Sequence, residues 1–403
     1  MQFQRPWHDP QFMNESTPED VEKWLLSLVQ STNAKEKGNR SRSSNSSHNP
    51  IVYFDEGFNV DAIAYLRVLE AYARSNMASA PQRAEHWIGI LERHYSAALE
   101  LFVATYKQTT NNTQQQEAAA IVRSLQPTVE CYNSLIEVWG HDKNPISVVR
   151  SRRWLSKLED EATNISPSTN GHSLGSILRP NAKSYDLYLH SCSRGIGKQF
   201  KQHQAWAEEA GRMLDYRLSS DAPLAIRPTT ESFNYVLRAY TRCRKDISIA
   251  DKAMSVVLRM EKIKKSCLLA GAAGENSHVG WQQNIAPDSK TYTMLLDAWI
   301  VKAGLKATKW RSKQLARINT FKHKGRGEKG CAEFATDDQQ EDGTQEMKKA
   351  EMILNYMHNL DSTGHNNALV TVFAYNILLS GWARLANEIQ KNVPLKSEKL
   401  LVS

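Results

Sequence analysis

The sequence predicts an all-α chain in which antiparallel helix pairs stack into an α-solenoid, and three observations predict it. A motif recurs in register along most of the chain, each copy carries apolar residues at helical spacing, and most copies are answered downstream by a second amphipathic segment. The motif is clearest in the stretch 228–240, Pro-Thr-Thr-Glu-Ser-Phe-Asn-Tyr-Val-Leu-Arg-Ala-Tyr. Its copies align on an aromatic residue: Tyr65, Tyr132, Tyr185, Phe233, Tyr292 and Tyr375. Three residues later stand Val68, Leu135, Tyr188, Val236, Leu295 and Leu378, and four later Leu69, Ile136, Leu189, Leu237, Leu296 and Leu379. Seven later come Tyr72, Trp139, Cys192, Tyr240, Trp299 and Trp382. Offsets of 0, 3, 4 and 7 place these side chains on one face of an α-helix and on no face of a strand. The sixth position, Ala71, Val138, Ser191, Ala239, Ala298 and Gly381, is mostly small and lets a second helix approach. Pro127, Pro180, Pro228 and Pro287 lie five residues before the aromatic, where a missing N–H costs nothing at a helix start, so the helices are expected to begin there.

Along the chain, residues 1–32 form an N-terminal segment with one amphipathic helix. Thr17 is its expected N-cap and Pro18 its first residue, and Val21, Trp24, Leu25 and Leu28 follow at helical spacing. Residues 33–58, rich in Ser, Asn, Lys and Arg, read as a flexible linker. Residues 59–403 read as one array of about six helix-turn-helix units, starting near 60, 127, 180, 228, 287 and 370. Unequal spacing of the aromatics requires insertions, placed at 163–179, 266–286 and 304–346. The stretch from Lys302 to Lys329 is basic, with Glu328 as its sole acid, and reads as a solvated insertion or as a phosphate-contacting arm. A degenerate extra unit fits around Leu99 to Tyr106. Two short helices cannot bury both apolar faces alone, so the pairs must stack on one another.

A net charge of +8 over 403 residues suits a polyanionic partner without requiring one. Cys131, Cys192, Cys243, Cys267 and Cys331 form no Cys-x-x-Cys pair and read as reduced packing residues. No apolar run is long enough to span a bilayer, so no membrane is expected as a partner. Asp9, Glu15, Glu19, Asp20 and Glu22 make the N-terminus acidic, and no targeting peptide is visible there. On the helical wheel, the residues one after and two before each aromatic lie off the packing stripe, and both are expected to be exposed.

The units resemble pentatricopeptide repeats. Pro127-Thr-Val-Glu-Cys-Tyr-Asn-Ser-Leu-Ile-Glu-Val-Trp139 is the nearest copy, followed by Pro287-Asp-Ser-Lys-Thr-Tyr-Thr-Met-Leu-Leu-Asp-Ala-Trp299, and the resemblance covers roughly Asn59 to Ala386. It implies a right-handed solenoid in which each repeat reads one base of single-stranded RNA. The reading pair is the residue after the aromatic and the residue following the next unit's proline. Carried over, the pairs are Asn133 with Asn181, Asp186 with Thr229, Asn234 with Asp288 and Thr293 with Thr371, with Asn376 in the last copy. Such side chains offer a donor or an acceptor to a free Watson–Crick edge. By this analogy Asn234 with Asp288 favours uracil, and Asn133 with Asn181 a pyrimidine. The plainer reading of Asn133, Asn234 and Asn376 is an ordinary residue of an exposed helix start. Two residues before the aromatic the family carries an aliphatic side chain that sandwiches the base. Here Ile63 and Phe373 fit that role, Glu130 and Glu231 repel phosphate, and Lys183 and Lys290 can contact it. Leu66 cannot pair with a base.

No catalytic constellation is visible. His-x-Glu with Pro-Cys-x-x-Cys does not occur, and the run from Lys324 to Gly330 lacks Gly-Lys-Ser/Thr. The expectation is a non-catalytic RNA-binding protein of a mitochondrion or chloroplast, acting in RNA processing, stability or translation, without cofactor or small-molecule substrate. The alternative is a helical-repeat scaffold that binds protein partners within a ribosomal or RNA-processing complex.

Overall fold

The computed structural model describes residues 16–27, 60–108, 112–142, 144, 146–163, 178–195, 200–272, 282, 285–323, 342–362 and 369–390. The expected linker at 33–58 and most of the insertion at 163–179 lie outside them. The described residues are helical throughout, with no strand among them. Helix α1 spans 18–27, followed by α2 (Ala62–Arg74), α3 (Ala80–Gln108), α4 (Asn112–Leu125), α5 (Val129–His141), α6 (Ser147–Thr163) and α7 (Ala182–Arg194). Then come α8 (Phe200–Leu218), a 3-10 turn (Leu224–Ile226), α9 (Thr230–Thr241), α10 (Ile249–Ala272), α11 (Ser289–His323), α12 (Thr344–Ser362) and α13 (Val372–Gln390). The chain divides into two compact units, Met1–Ile196 and Gly197–Ser403.

In the first unit α5 packs against α2, α3, α6 and α7. In the second, α11 packs against α9, α10, α12 and α13. The repeated stripe is what these contacts bury: Tyr65, Val68, Leu69 and Tyr72 have no exposed surface, and Tyr132, Leu135, Ile136 and Trp139 are buried likewise. In α13 the stripe is only half covered, with Leu379 66% exposed and Leu378 buried. The small sixth position is buried in every copy. A side chain larger than hydrogen at Gly381 would meet Ile300 Cγ2 at 2.8 Å.

Helix starts differ from the expected ones by two residues. Each proline precedes the N-cap, so Val129, Ala182, Thr230 and Ser289 are the first helical residues. In α1, Thr17 Oγ1 accepts from the Asp20 N–H at 3.3 Å and donates to Asp20 Oδ2 at 2.6 Å. Two of the expected insertions are shorter than drawn. α10 continues to Ala272 and α11 to His323, because 302–323 holds no proline and is rich in good helix formers; 324–341 lies outside the described residues. Gly343, at φ +90°, turns the chain into α12 beside the Ala303 carbonyl, where a Cβ would stand 2.3 Å from the oxygen. The stretch Leu99–Tyr106 belongs to α3, which folds back as α4 to bury Ala98, Val122 and Leu125.

A second regularity joins successive pairs. Tyr132 Oη donates to Glu92 at 2.8 Å, and Trp139 Nε1, seven residues on, donates to Glu85, seven residues back, at 3.1 Å. The same antiparallel step recurs where Tyr375 meets His358 and Trp382 Nε1 donates to Glu351 at 2.8 Å. Tyr292 donates to Glu261, and Tyr185 to Glu159 at 3.1 Å. Glu22 of α1 accepts from Tyr72, Arg83 and Trp87, which ties that helix to the first pair. Cations from the following second helix complete the ladder, with Lys157 on Glu92, Arg150 on Glu85, Arg259 on Asp215 and Lys252 near Glu208.

Burial holds the Tyr65 hydroxyl well above the ordinary tyrosine range and, with the Glu92 and Glu261 carboxylates, does the same for Tyr132 and Tyr292; Tyr72 is pushed up to about 12. These phenols keep their protons in the folded chain at pH values where the unfolded chain loses them, near 10. The native state then binds more protons, so stability is fully present below about pH 10 and falls as pH rises above it. Thermal unfolding followed by circular dichroism is expected to show a flat midpoint from pH 7 to 9 and a steep fall above 10. A midpoint still flat at pH 11 would contradict the burial of these rings.

Candidate nucleic-acid interface

The second member of each implied reading pair is a helix cap. Asn181 Oδ1 accepts from the Ser184 N–H at 3.1 Å while Ser184 Oγ accepts from the Asn181 N–H at 3.1 Å. Thr229 and Ser232 form the same box, and Asp288 Oδ1 accepts from the Thr291 N–H at 2.7 Å. Thr371 Oγ1 accepts from the Ala374 N–H at 3.3 Å. Asn, Asp and Thr are the residues that satisfy orphan N–H groups at helix starts, so local capping alone accounts for their type.

Two of the implied pairs are brought together within their units. Asn133 Nδ2 lies 3.5 Å from Asn181 Oδ1, and Asn234 Nδ2 lies 3.2 and 3.4 Å from the two oxygens of Asp288. Asn234 Oδ1 also accepts from the Thr291 hydroxyl at 2.7 Å. Both asparagines are about 1% exposed, which corrects the expectation that this position faces solvent. The helical wheel places it off the stripe of its own helix, but the capped start of the next first helix packs over it. Asn234 is closed at both ends, whereas Asn133 Oδ1 is buried with no hydrogen-bond partner among the described residues.

The other implied residues are placed differently. Asp186 is half-buried in the first unit and Thr229 belongs to the second. Thr293 is half-buried and donates back to the Ser289 carbonyl at 2.6 Å, while Thr371 is exposed. Asn376 is exposed. Lys183 is exposed and makes no ion pair among the described residues. Lys290 is exposed and paired with Glu231 at 2.8 Å, and Glu130 is exposed. Leu66 is half-buried.

An open site lies between α11 and α13. A groove of ≈ 450 Å³ is lined by Thr293, Asp297, Phe373, Asn376, Arg244 and Arg384, among others, and the Phe373 ring is 64% exposed. Arg244 Nη2 lies 3.3 Å from Asp297 Oδ2. Burial pushes the Asp297 carboxyl above the usual carboxylate range against the opposing pull of Arg244 and Arg384. The groove thus combines an aromatic face, two guanidinium groups, a carboxylate and the side chains of Thr293 and Asn376.

Sequence reading missed a basic series nine residues after the aromatic: Arg74, His141, Arg194, Arg242 and Arg384, broken by Val301. Aligning the copies two residues further would have found it. All four arginines are exposed; Arg74, Arg194 and Arg242 stand at the ends of their helices, where the helix dipole also favours a cation, while Arg384 lies inside α13. Three cations of the basic half of α11 are engaged in ion pairs, Lys302 with Asp251, Lys306 with Glu346 and Arg311 with Glu388. Among the described residues no cluster of three or more His, Cys, Asp or Glu is placed to hold a metal ion, and no helix is long and apolar enough to cross a membrane.

The burial of Asn234 yields a test. Asn234→Ala removes the buried hydrogen bonds to Asp288 and to the Thr291 hydroxyl, leaving those two residues only their bonds to each other, and is expected to destabilise the chain by about 1–3 kcal/mol, whereas the exposed Asn376→Ala stays within about 0.5 kcal/mol. Denaturant unfolding measures both, and equal effects at the two positions would contradict the geometry. Comparison of the chain with protein-family models, with curated proteins and with solved structures returns no match.

Proposed function

We propose that this chain is a non-catalytic single-stranded RNA-binding protein of the pentatricopeptide-repeat type, its helix pairs stacked as a right-handed solenoid, acting in organellar RNA processing, stability or translation. The observation that carries the reading is the groove at Phe373. It offers an exposed ring on which a base can stack, the Thr293 and Asn376 side chains to meet the base edge, and Arg384 and Arg244 to meet phosphate. The exposed Arg74, Arg194 and Arg242, nine residues after their aromatics, extend the cationic supply to other copies. In this reading the open groove takes the first base. Asn133 and Asn234 contribute only by exchanging their present partners for a base.

A helical-repeat scaffold for protein partners is the second reading. It is favoured by the closed hydrogen bonds of Asn234 and by the carboxylates of Glu130 and Glu231 on the face that RNA would follow.

Fluorescence anisotropy with random single-stranded RNA dodecamers at two salt concentrations separates the two. Loss of a stacked base, worth about 1–3 kcal/mol, predicts that Phe373→Ala weakens binding by roughly 5- to 150-fold. Arg384→Ala is expected to weaken binding for every sequence and to flatten the salt slope by about one. RNA binding that ignores both substitutions sinks the reading and favours the scaffold.

A further inference from the structure

Among the described residues of the second unit, the ion pairs that join α8 to α10 are not continued between α10 and α12. Aligning α3 with α10 and α6 with α12 on their buried residues sets Glu92 against Glu261 and Glu85 against Met254. It also sets Arg150 against Lys349, Trp154 against Ile353 and Lys157 against Tyr356. In the first unit Glu85 accepts from Trp139 Nε1 and Trp154 Nε1, at 3.1 and 2.9 Å, with Arg150 at 3.6 Å. In α10 the residue at that position is Met254, which is no acceptor for an indole N–H. Trp299 Nε1, the counterpart of Trp139 Nε1, is buried with no acceptor among the described residues. The Lys349 ammonium lies 4.6 Å from the Trp299 ring centroid and makes no ion pair among the described residues.

What replaces the ladder is an apolar groove of ≈ 580 Å³ between the two second helices, floored by Tyr292 and Leu295 of α11. Leu258, Met352 and Tyr356 line it while 59%, 69% and 45% exposed. Two other pairs of second helices, α3 with α6 and α8 with α10, close this position with ion pairs, Lys157 with Glu92 and Arg259 with Asp215. Large apolar side chains held at the surface in a concave site mark a docking surface. Its unmet electrostatics specify the occupant, since an unpaired ammonium stands at its edge, on the same tryptophan whose buried N–H lacks an acceptor.

We propose that this groove docks an amphipathic helix of a protein partner, with apolar side chains entering between α10 and α12 and an Asp or Glu on the same face meeting Lys349. The partner carboxylate gives Lys349 the counter-charge that Glu85 gives Arg150 in the first unit. The surface is independent of RNA binding, because it uses the face of α11 that carries Tyr292 and Leu295 rather than the one that carries Thr293 and Asp297.

The test is selection of a displayed library of randomised peptides, about four helical turns long, on the full chain. Met254→Glu, Lys349→Ala and Leu258→Asp serve as counter-targets. Met254→Glu restores the chain's own carboxylate and is expected to leave the melting temperature unchanged or raised, so loss of binding in it is not loss of fold. The expected result is enrichment of apolar residues spaced three, four and seven apart with an Asp or Glu among them, and at least a tenfold loss of affinity on all three variants. Peptides without an acidic preference, binding that ignores Met254→Glu and Leu258→Asp, or no enrichment over the Leu258→Asp chain would overturn the proposal. So would self-association of the ordinary chain that Leu258→Asp abolishes, because the occupant would then be a second copy.

Discussion

The packing of the pairs depends on a buried donor meeting a carboxylate. Tyrosine hydroxyls and tryptophan indole N–H groups on the first helices are too deep to reach water, and leaving such a group unpaired costs about 1–3 kcal/mol. In the first unit Glu92 and Glu85 supply the acceptors for Tyr132 and Trp139, and the seven-residue step on both helices keeps the two contacts in antiparallel phase. Shifting one helix against the other by a residue would break both at once. The device fixes the register of neighbouring pairs, a task that apolar packing alone does weakly because one aliphatic side chain fits much like another.

The same device shows what a departure means. Glu351 serves Trp382 as Glu85 serves Trp139, but Met254 cannot serve Trp299. The loss of the acid, with Tyr356 in place of a cation, turns a closed polar seam into an open apolar one. α11 therefore separates two unlike surfaces: Tyr292 and Leu295 floor the apolar groove, while Thr293, Met294 and Asp297 floor the groove beside Phe373. Alternate faces of a single helix serve both, so α11 has almost no position free of packing or site duties over its first three turns.

Capping and base reading make competing demands on the same side chains. Asn181, Thr229 and Asp288 each satisfy an N–H at the start of a first helix. Asn234 then satisfies Asp288 and Thr291 across the junction. Residue type at these positions therefore does not separate a cap from a recognition element. Exposure does, and it singles out Phe373, Asn376 and Arg384 in the last pair as the groups open to a ligand.

The sequence by itself determined that the chain is helical, where the first helices lie to within about two residues, and which face of each is buried. Those properties follow from local periodicity and from the capping chemistry of Asn, Asp and Thr, which act over one or two turns. The helical length of α11 beyond Ala303 was hidden because its basic half lacks an apolar stripe, although its composition favours helix. Only the tertiary structure decided that Asn133 and Asn234 are buried, that Lys290 is neutralised by Glu231, that Trp299 lacks an acceptor, and that grooves open on both sides of α11. A helical wheel describes one helix, and the surroundings of these groups come from helices brought beside it by long-range packing. Their burial, their pKa and their availability to a ligand are properties of that contact and of no single segment.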